Sequence, residues 1–300
     1  MPETRGGLRL RSLLCRLALA VAATGTAAGQ LAAQQLQLRF FDVGQGDAAL
    51  LITPEGRTML VDAGQNARSV IAFLRANHLD TLDLVVVSHI HDDHMGGIPD
   101  VLGAVVVRNF MDNGTPRART YGRYLNAVRA SGARYLEATA RTITLGSVQV
   151  RVLPPPDARL RLARADQNNR SVGLLIQYGR FRALLAGDSQ RQEIGYWLQF
   201  DSVPPVTLVK LSHHGSDNGT TTAWAERTGA RIAVISVGRN SYGHPGRAAL
   251  ATWCRSEARV IRTDKNGSIL VRTDSLGGAI VRAVRAPDDT TLTDACGGIR

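Results

Sequence analysis

Residues 82–94 read LDLVVVSHIHDDH, an apolar run that stops on three histidines and two aspartates. Such a run, rich in β-branched residues, predicts a strand covered on both faces, which requires layers packed above and below its sheet. Imidazoles and carboxylates this dense would be costly inside that core, so the cluster belongs on the loop at the carboxyl end of the strand. A layered α/β fold with polar chemistry gathered at one sheet edge is the arrangement that satisfies both demands.

The flanking sequence supports the layering. LQLRFFDV, AALLIT and RTMLVDAG predict three strands joined by turns at GQG and PEG, and NARSVIAFLRANH a helix. AVVVRN predicts another strand, ARTYGRYLNAVRASG a helix ending on glycine, and RTITL with SVQVRVLPPP a hairpin around Gly146, before the polar, basic loop DARLRLARADQNNR. The second half repeats this layout. Strands SVGLLIQYG and FRALLAGD, helix QRQEIGYWLQF and strand PVTLVKLS lead to HHGSDNG; a helix from Thr221 to Arg227, strand RIAVISVG, loop RNSYGHPG, helix RAALATWCRS and strands RVIRTD, SILVRT and AIVRAVR complete it. No linker rich in Pro, Gly or Ser separates the halves, so one domain of two packed sheet-and-helix halves is expected.

The N-terminus reads differently. Arg5, Arg9, Arg11 and Arg16 precede the short apolar stretch LALAVAATGTAAG, the pattern of a signal peptide over residues 1–33 cleaved after Ala28, Gly29 or Ala33. The stretch is shorter than the roughly 20 residues of a spanning helix, so a periplasmic or secreted protein with no stable membrane span after cleavage is expected. Losing four arginines and Glu3 lowers the formal charge from +11 to +8. Lys210 and Lys265 are the only lysines, and arginine suits bidentate phosphate contact, so the balance fits an anionic partner as well as a soluble surface. Cys254 and Cys296 remain, either as a disulfide stapling the tail 287–300 to the body or as two free thiols.

Six of the seven histidines, all but His78, fall in loops after predicted strands. His89 and His91, two apart in an extended loop, can face one point, and Asp93 and His94 follow where the chain turns into a helix. Imidazoles and a carboxylate at this spacing suit two adjacent divalent cations. A cap on the helix beginning HMGGIPDVL would explain Asp92 or Asp93 and none of the histidines. Two cations about 3.5–4 Å apart need a shared anion, and Asp188 at the end of ALLAGD is the candidate bridge. LSHHGS offers His213 or His214 as the last ligand, the other turning to substrate or to support of the ligands. His244 in SYGHP is a candidate for contacting a phosphate or protonating a leaving group. Asp47 in DVGQGD reads better as a turn cap than as a functional group.

FFDVGQGDAALL, LVDAG, SHIHDDHMGGI, NNRSVGLLI, ALLAGD, LVKLSHHGS, SYGHP and IRTDKNGSILV stand in one order over residues 39–272. As a set they resemble the metallo-β-lactamase superfamily, and more closely the hydrolase domain of ComEC-type competence proteins. The resemblance implies an αββα sandwich of mixed sheets over residues 34–286, with the metal site at the edge between the sheets. It places His89 and His91 on a first metal, Asp93 and His94 on a second, Asp188 between them, one of His213 and His214 as the late ligand, and Asp62 as an aspartate that orients the site. Two departures stand out. Residues 95–212 hold no histidine, and Asn168 or Asn169 occupies the place where many members have one, so an oxygen-rich first site would take manganese as readily as zinc. His91 stands where ComEC-type chains commonly carry aspartate.

The function expected is an exported phosphodiesterase or nuclease, acting through a hydroxide bridging two Zn or Mn ions on DNA or another phosphodiester. Asp93, Asp188 and His244 would be its catalytic groups, and Arg170, Lys210, Arg239 and Asn240 candidates for an anionic groove. Rival readings are a lactone or β-lactam acyl hydrolase of the same fold, and a non-catalytic protein binding nucleic acid or cell wall. Aromatics are only 5% of residues, which argues against strong sequence-independent binding of single strands by stacking.

Overall fold

A computed structural model describes residues 35–114, 121–156, 166–200, 202–284 and 292–297. The expected signal peptide, most of the basic loop at 157–170 and part of the tail lie outside these residues. The first half holds strands β1 (Leu36–Phe40), β2 (Ala49–Ile52), β3 (Thr58–Val61), β4 (Thr81–Leu82), β5 (Leu84–Val86), β6 (Val106–Val107), β7 (Asn109–Asp112) and β8 (Arg134–Glu137). Its helices are α1 (Arg68–Ala76), α2 (Asp92–Met95), α3 (Ile98–Ala104) and α4 (Tyr121–Ala130). Strands β9 (Arg141–Leu145), β10 (Val148–Leu153), β11 (Gly173–Tyr178), β12 (Phe181–Leu185), β13 (Leu208–Lys210), β14 (Ile232–Ile235), β15 (Arg259–Arg262), β16 (Ser268–Thr273) and β17 (Ala279–Val284) follow. Helices α5 (Arg191–Gln199), α6 (Thr222–Thr228), α7 (Arg247–Arg255) and α8 (Thr263–Asn266) lie among them.

An eight-stranded mixed sheet runs β17-β16-β1-β2-β3-β5-β7-β8 and a seven-stranded one β15-β14-β13-β12-β11-β10-β9. The closing strands return to the first sheet, where β16 pairs antiparallel with β1. Strand periodicity builds the layers. In β1, Leu36, Leu38 and Phe40 point inward and meet Val148, Val150, Val152, Leu174 and Ile176 of the other sheet. The opposite face of the first sheet, with Leu50, Leu60, Val85 and Phe110, packs on Val70 and Leu74 of α1 and Val101 of α3. On the far side, Leu184, Val209, Ala233 and Ile235 lie under Ile194, Trp197, Trp224 and Trp253 of the helices. These are the four layers of the αββα sandwich.

Two local expectations change, and one strand was not anticipated. AVVVRN does not enter the large sheet: Val106 is 62% exposed, and β6 pairs only with β4 in a separate ribbon. The strand beside β5 is β7, shifted by a few residues, because a run of three valines carries no register of its own. β8 completes that sheet edge with the polar sequence RYLE, whose exposure hides the alternation. The HMGGIPDVL helix is two, α2 and α3, broken where Gly96 and Gly97 pack too closely on Gln65 and Ala63 backbone to admit a Cβ. Cys254 of α7 is disulfide-bonded to Cys296, and Ala295 N–H donates to Val260 O at 2.8 Å, so this part of the tail is docked on β15.

The site's position follows from strand direction. β3 and β5 are parallel neighbours in one sheet, and β12, β13 and β14 in the other. Their carboxyl ends lead into Asp62, His89, Asp188, His213 and Ser236 respectively. Parallel strands bring such loops to one edge.

Candidate metal centre

Asp188 is the focus. Its Oδ2 lies 3.2 Å from His94 Nε2, 3.3 Å from His214 Nε2, 3.8 Å from His89 Nε2 and 4.0 Å from His213 Nε2. Asp188 N–H donates to Ser171 Oγ at 3.0 Å, which fixes the turn after β12. Around it, ligand-type atoms of Asp93, His94, Asp188 and His214 all lie within 4.8 Å of one another. His89 Nε2 and His91 Nδ1 approach to 2.9 Å on the neighbouring side.

The His94, His213 and His214 rings are each aimed by a partner on Nδ1. Asp62 Oδ2 accepts from His94 Nδ1 at 2.9 Å, and its two oxygens also take Ser88 N–H and Ser88 O–H, both at 2.7 Å. The carbonyl of Ser236 accepts from His214 Nδ1 at 3.0 Å, and Asn218 Oδ1 accepts from His213 Nδ1 at 2.9 Å. Because a carbonyl and a carboxylate only accept, Nδ1 of His94 and His214 keeps its proton, so in the neutral ring Nε2 is the electron-pair donor available to a cation beside Asp188. Neighbouring side chains ordinarily diverge. His213 and His214, at φ of 51° and 54°, occupy the left-handed region, and this uncommon backbone turns both rings to the same side.

Electrostatics favour positive charge here. Burial alone would lower the His94 and His214 imidazoles, but the Asp188 charge and the other carboxylates outweigh it, and both are raised well above 6.5. Burial and then the neighbouring His94 push His89 well below 6.5, so it is a neutral ligand-type ring. Burial would raise Asp188 and Asp93, yet for each the net direction is downward: the His214 and His94 charges dominate at Asp188, the His214 hydrogen bond and His94 at Asp93. His94 Nε2 and Asp188 Oδ1 are nevertheless buried without an aligned hydrogen-bond partner. Four carboxylates (Asp47, Asp62, Asp93 and Asp188), a set of rings showing Nε2 and such orphaned polar atoms fit divalent cations.

Several assignments resolve. Both His213 and His214 reach the cluster: His214 Nε2 also lies 3.1 Å from Asp93 Oδ2, while His213 Nε2 is 3.5 Å from Asn168 Nδ2. Asn168 is the asparagine at the site. Asn169 is not, because its Oδ1 accepts Gln190 and Glu193 N–H at 3.2 Å and its Nδ2 binds Gln190 and Gln192, anchoring the start of α5. The helix-cap reading of Asp92 and Asp93 fails, since the N-cap of α2 is His91 and makes no side-chain capping bond. Lys210 does not line an open groove; it is buried and paired with Asp47. Asp47 is therefore more than a turn cap. It lies 3.4 Å from His214 Nδ1 and 3.8 Å from His94 Nδ1. The GQG turn holds it there, packed so tightly that a Cβ on Gly46 would collide with the Asp93 carbonyl. The signal for Asp47 was its place in FFDVGQGD; Ser88, Asn218 and the Ser236 carbonyl gave none. The His244 ring meets that of His213 edge-on at 5.0 Å and stacks with that of His214 at 6.2 Å.

The metallo-beta-lactamase superfamily profile matches residues 42–239, two-thirds of the chain and every ligand-type residue just described. The chain belongs to the metallo-β-lactamase superfamily. It is 26% identical over 279 residues to ComE operon protein 3 of Bacillus subtilis (strain 168), covering 85% of this chain and 35% of that protein. Recombination protein 2 of Haemophilus influenzae is 25% identical over 250 residues, 81% of this chain and 29% of the relative. The chain thus spans about a third of the curated relatives it matches. Among solved structures, Tm1679, a metal-dependent hydrolase of the β-lactamase superfamily, superposes with a TM-score of 0.51 at 15% identity, covering 78% of this chain and 98% of that one. CmlA, a diiron β-hydroxylase from Streptomyces venezuelae, does so at 0.50 and 16%, covering 83% and 54%. At such identities these structures share the fold alone. Superfamily and donor set together describe a metal-dependent hydrolase related to competence proteins.

Proposed function

We propose that the chain is an exported phosphodiesterase whose substrate is nucleic acid, working with two divalent cations, zinc or manganese. The observation that carries this is the convergence of four imidazole Nε2 atoms on the single oxygen Asp188 Oδ2. His89, His91 and His213 would hold one cation, Asp93, His94 and His214 the other, and Asp188 both, with Asn168 beside the first. When bound, such cations set positive charge against phosphoryl oxygens and acidify water at neutral pH.

The chain's own residues do the rest. Asp62 and the Ser236 carbonyl keep His94 and His214 in the tautomer that offers Nε2. Lys210 balances Asp47 beneath the site. Burial, then His213 and His214, push the His244 imidazole down to about 4, so at neutral pH it meets substrate with a hydrogen bond and not with a charge. A groove of about 890 Å³ that reaches Arg170 is lined, among the described residues, by Arg141, Arg151 and Arg170 with the one carboxylate Glu137, and by Tyr196, Trp197 and Phe200. Asn113 Nδ2 donates to Arg170 O at 2.8 Å, tying that groove to the end of β7. Guanidinium groups suit successive phosphates, whereas a lactone or β-lactam would need none of them. Relatives named as competence and recombination proteins support nucleic acid as the phosphodiester.

The test is cleavage of linear and circular DNA by the purified protein with manganese or zinc, beside Asp188→Ala, with bound metal measured by mass spectrometry. Metal-dependent cleavage lost in the variant is expected. Intact DNA alongside hydrolysis of a bis-phosphate ester would move the substrate to a smaller phosphodiester, and turnover of a chromogenic β-lactam alone would overturn the reading. Export is checked by N-terminal sequencing of the periplasmic or secreted protein, which should begin after residue 28, 29 or 33.

A further inference from the structure

Tyr242 is 74% exposed, yet it stands on a loop with little freedom. The Asn240 side chain binds that loop from within. Its Oδ1 accepts Tyr242 N–H at 3.1 Å and His244 N–H at 3.0 Å, and its Nδ2 donates to Gly238 O and His244 O, both at 2.9 Å. An amide that spends all four bonds on one short stretch of backbone holds it in one conformation. Asn240 is thus a positioning residue and not part of an anionic groove. The loop is fixed to the site as well: Gly246 N–H donates to Gly215 O at 2.9 Å, one residue after His214.

This scaffold presents a large ring to solvent. The Tyr242 ring lies 5.8 Å from that of His244, tilted by 33°, and the His244 ring is 5.0 Å from His213. Three rings therefore lead from solvent to the group around Asp188. We propose that Tyr242 is a stacking platform for a nucleobase, the base of the nucleotide next to the phosphate held at the candidate metal centre. The inference rests on the nucleic-acid reading proposed above and deepens it, because it assigns a residue to hold the base beside the phosphate. Every base has a π-face, so one such platform prefers nucleotides without selecting sequence.

The experiment compares two single-stranded oligonucleotides, one ordinary and one carrying tetrahydrofuran abasic sites, on wild type, Tyr242→Ala, Tyr242→Phe and Tyr242→Trp, with manganese. Steady-state cleavage and fluorescence anisotropy are both read. Tyr242→Ala should weaken KM and Kd for the ordinary strand about 10-fold, leave the abasic strand unchanged, and keep kcat within about twofold. Tyr242→Phe and Tyr242→Trp should restore the preference for bases, and bound metal should stay constant. Equal losses on both strands, or no loss on either, overturn the role of Tyr242 while leaving the phosphodiesterase reading intact. Wild type that cleaves neither strand removes the nucleic-acid reading first, and the platform with it.

Discussion

Replacing Lys210 with methionine should destabilise the site from beneath. The Lys210 ammonium is buried against the Asp47 carboxylate, 3.8 Å from Asp188 Oδ1, and 3.4 Å from the Gly187 carbonyl. Burial by itself would lower the amine, but Asp47 and then Asp188 outweigh it and the net direction is upward from 10.5. Burial by itself would raise the Asp47 carboxyl, but Lys210, then His214 and His94, carry it below 3.8. The pair's contribution is therefore fully present between pH 3.8 and 10.5. It is lost as pH falls through the depressed carboxyl value and as pH rises through the elevated amine value. Removing Lys210 leaves the buried Asp47 carboxylate only the His214 and His94 rings at 3.4 and 3.8 Å as partners, which costs up to about 3–5 kcal/mol, whereas removing both members of the pair is close to neutral. Lys210→Met should thus lower the unfolding free energy by up to about 3–5 kcal/mol, and adding Asp47→Asn should return most of it. The assay is urea denaturation at pH 7 in metal-free buffer with linear extrapolation. A single-variant loss below about 1 kcal/mol, or a double variant no more stable than the single, refutes the reasoning.

Asp62→Asn keeps the shape of the side chain but loses the charge that fixes the His94 tautomer. Affinity for zinc or manganese should fall about 10–100-fold in a competition titration, and an unchanged value would show that Asp62 does not orient His94. Glu193 is fully buried, and burial holds its carboxyl well above 4.5 against weaker opposition from Ser189, the Ser171 N–H and Arg170. Folding then takes up a proton, so stability falls as pH rises from 4.5 toward the elevated value. Glu193→Gln should stabilise the protein at pH 8 and change little at pH 4 by urea midpoint; equal effects at both would refute this. The Cys254–Cys296 bridge spans 42 residues, so Cys254→Ser with Cys296→Ser should cost up to about 4 kcal/mol in thermal or urea unfolding, and an unaltered midpoint contradicts it.

The site was legible where residue type and strand position coincide. His89, His91, Asp93, His94 and Asp188 follow apolar strands that can only be core, so their placement at the sheet edge could be read from the chain. Lys210 was read from its charge as a candidate for an anionic groove, whereas the structure buries it against Asp47. Asp47 was misread for a related reason: two glycines beside an aspartate describe a turn equally well whether the turn faces solvent or packs under Asp93. Asn168 and Asn169 could not be told apart, because neighbours in a one-turn 3-10 helix differ only in which wall they face. The strand misplaced at AVVVRN failed because three valines in a row define no face.

What the sequence by itself determined is the layering and the chemistry of the edge. Periodicity and side-chain type are local, and they set which runs are buried and which loops carry donors. Only the tertiary structure decided which atoms meet. Asp93 and His214, 121 positions apart, come within 3.1 Å because the parallel strands of two packed sheets end at one edge. The left-handed turn that points both His213 and His214 at Asp188, the burial of Lys210 on Asp47, and the Asn240 brace that presents Tyr242 likewise depend on how distant segments pack. Those distances are set by register and layer contact, which no local pattern encodes.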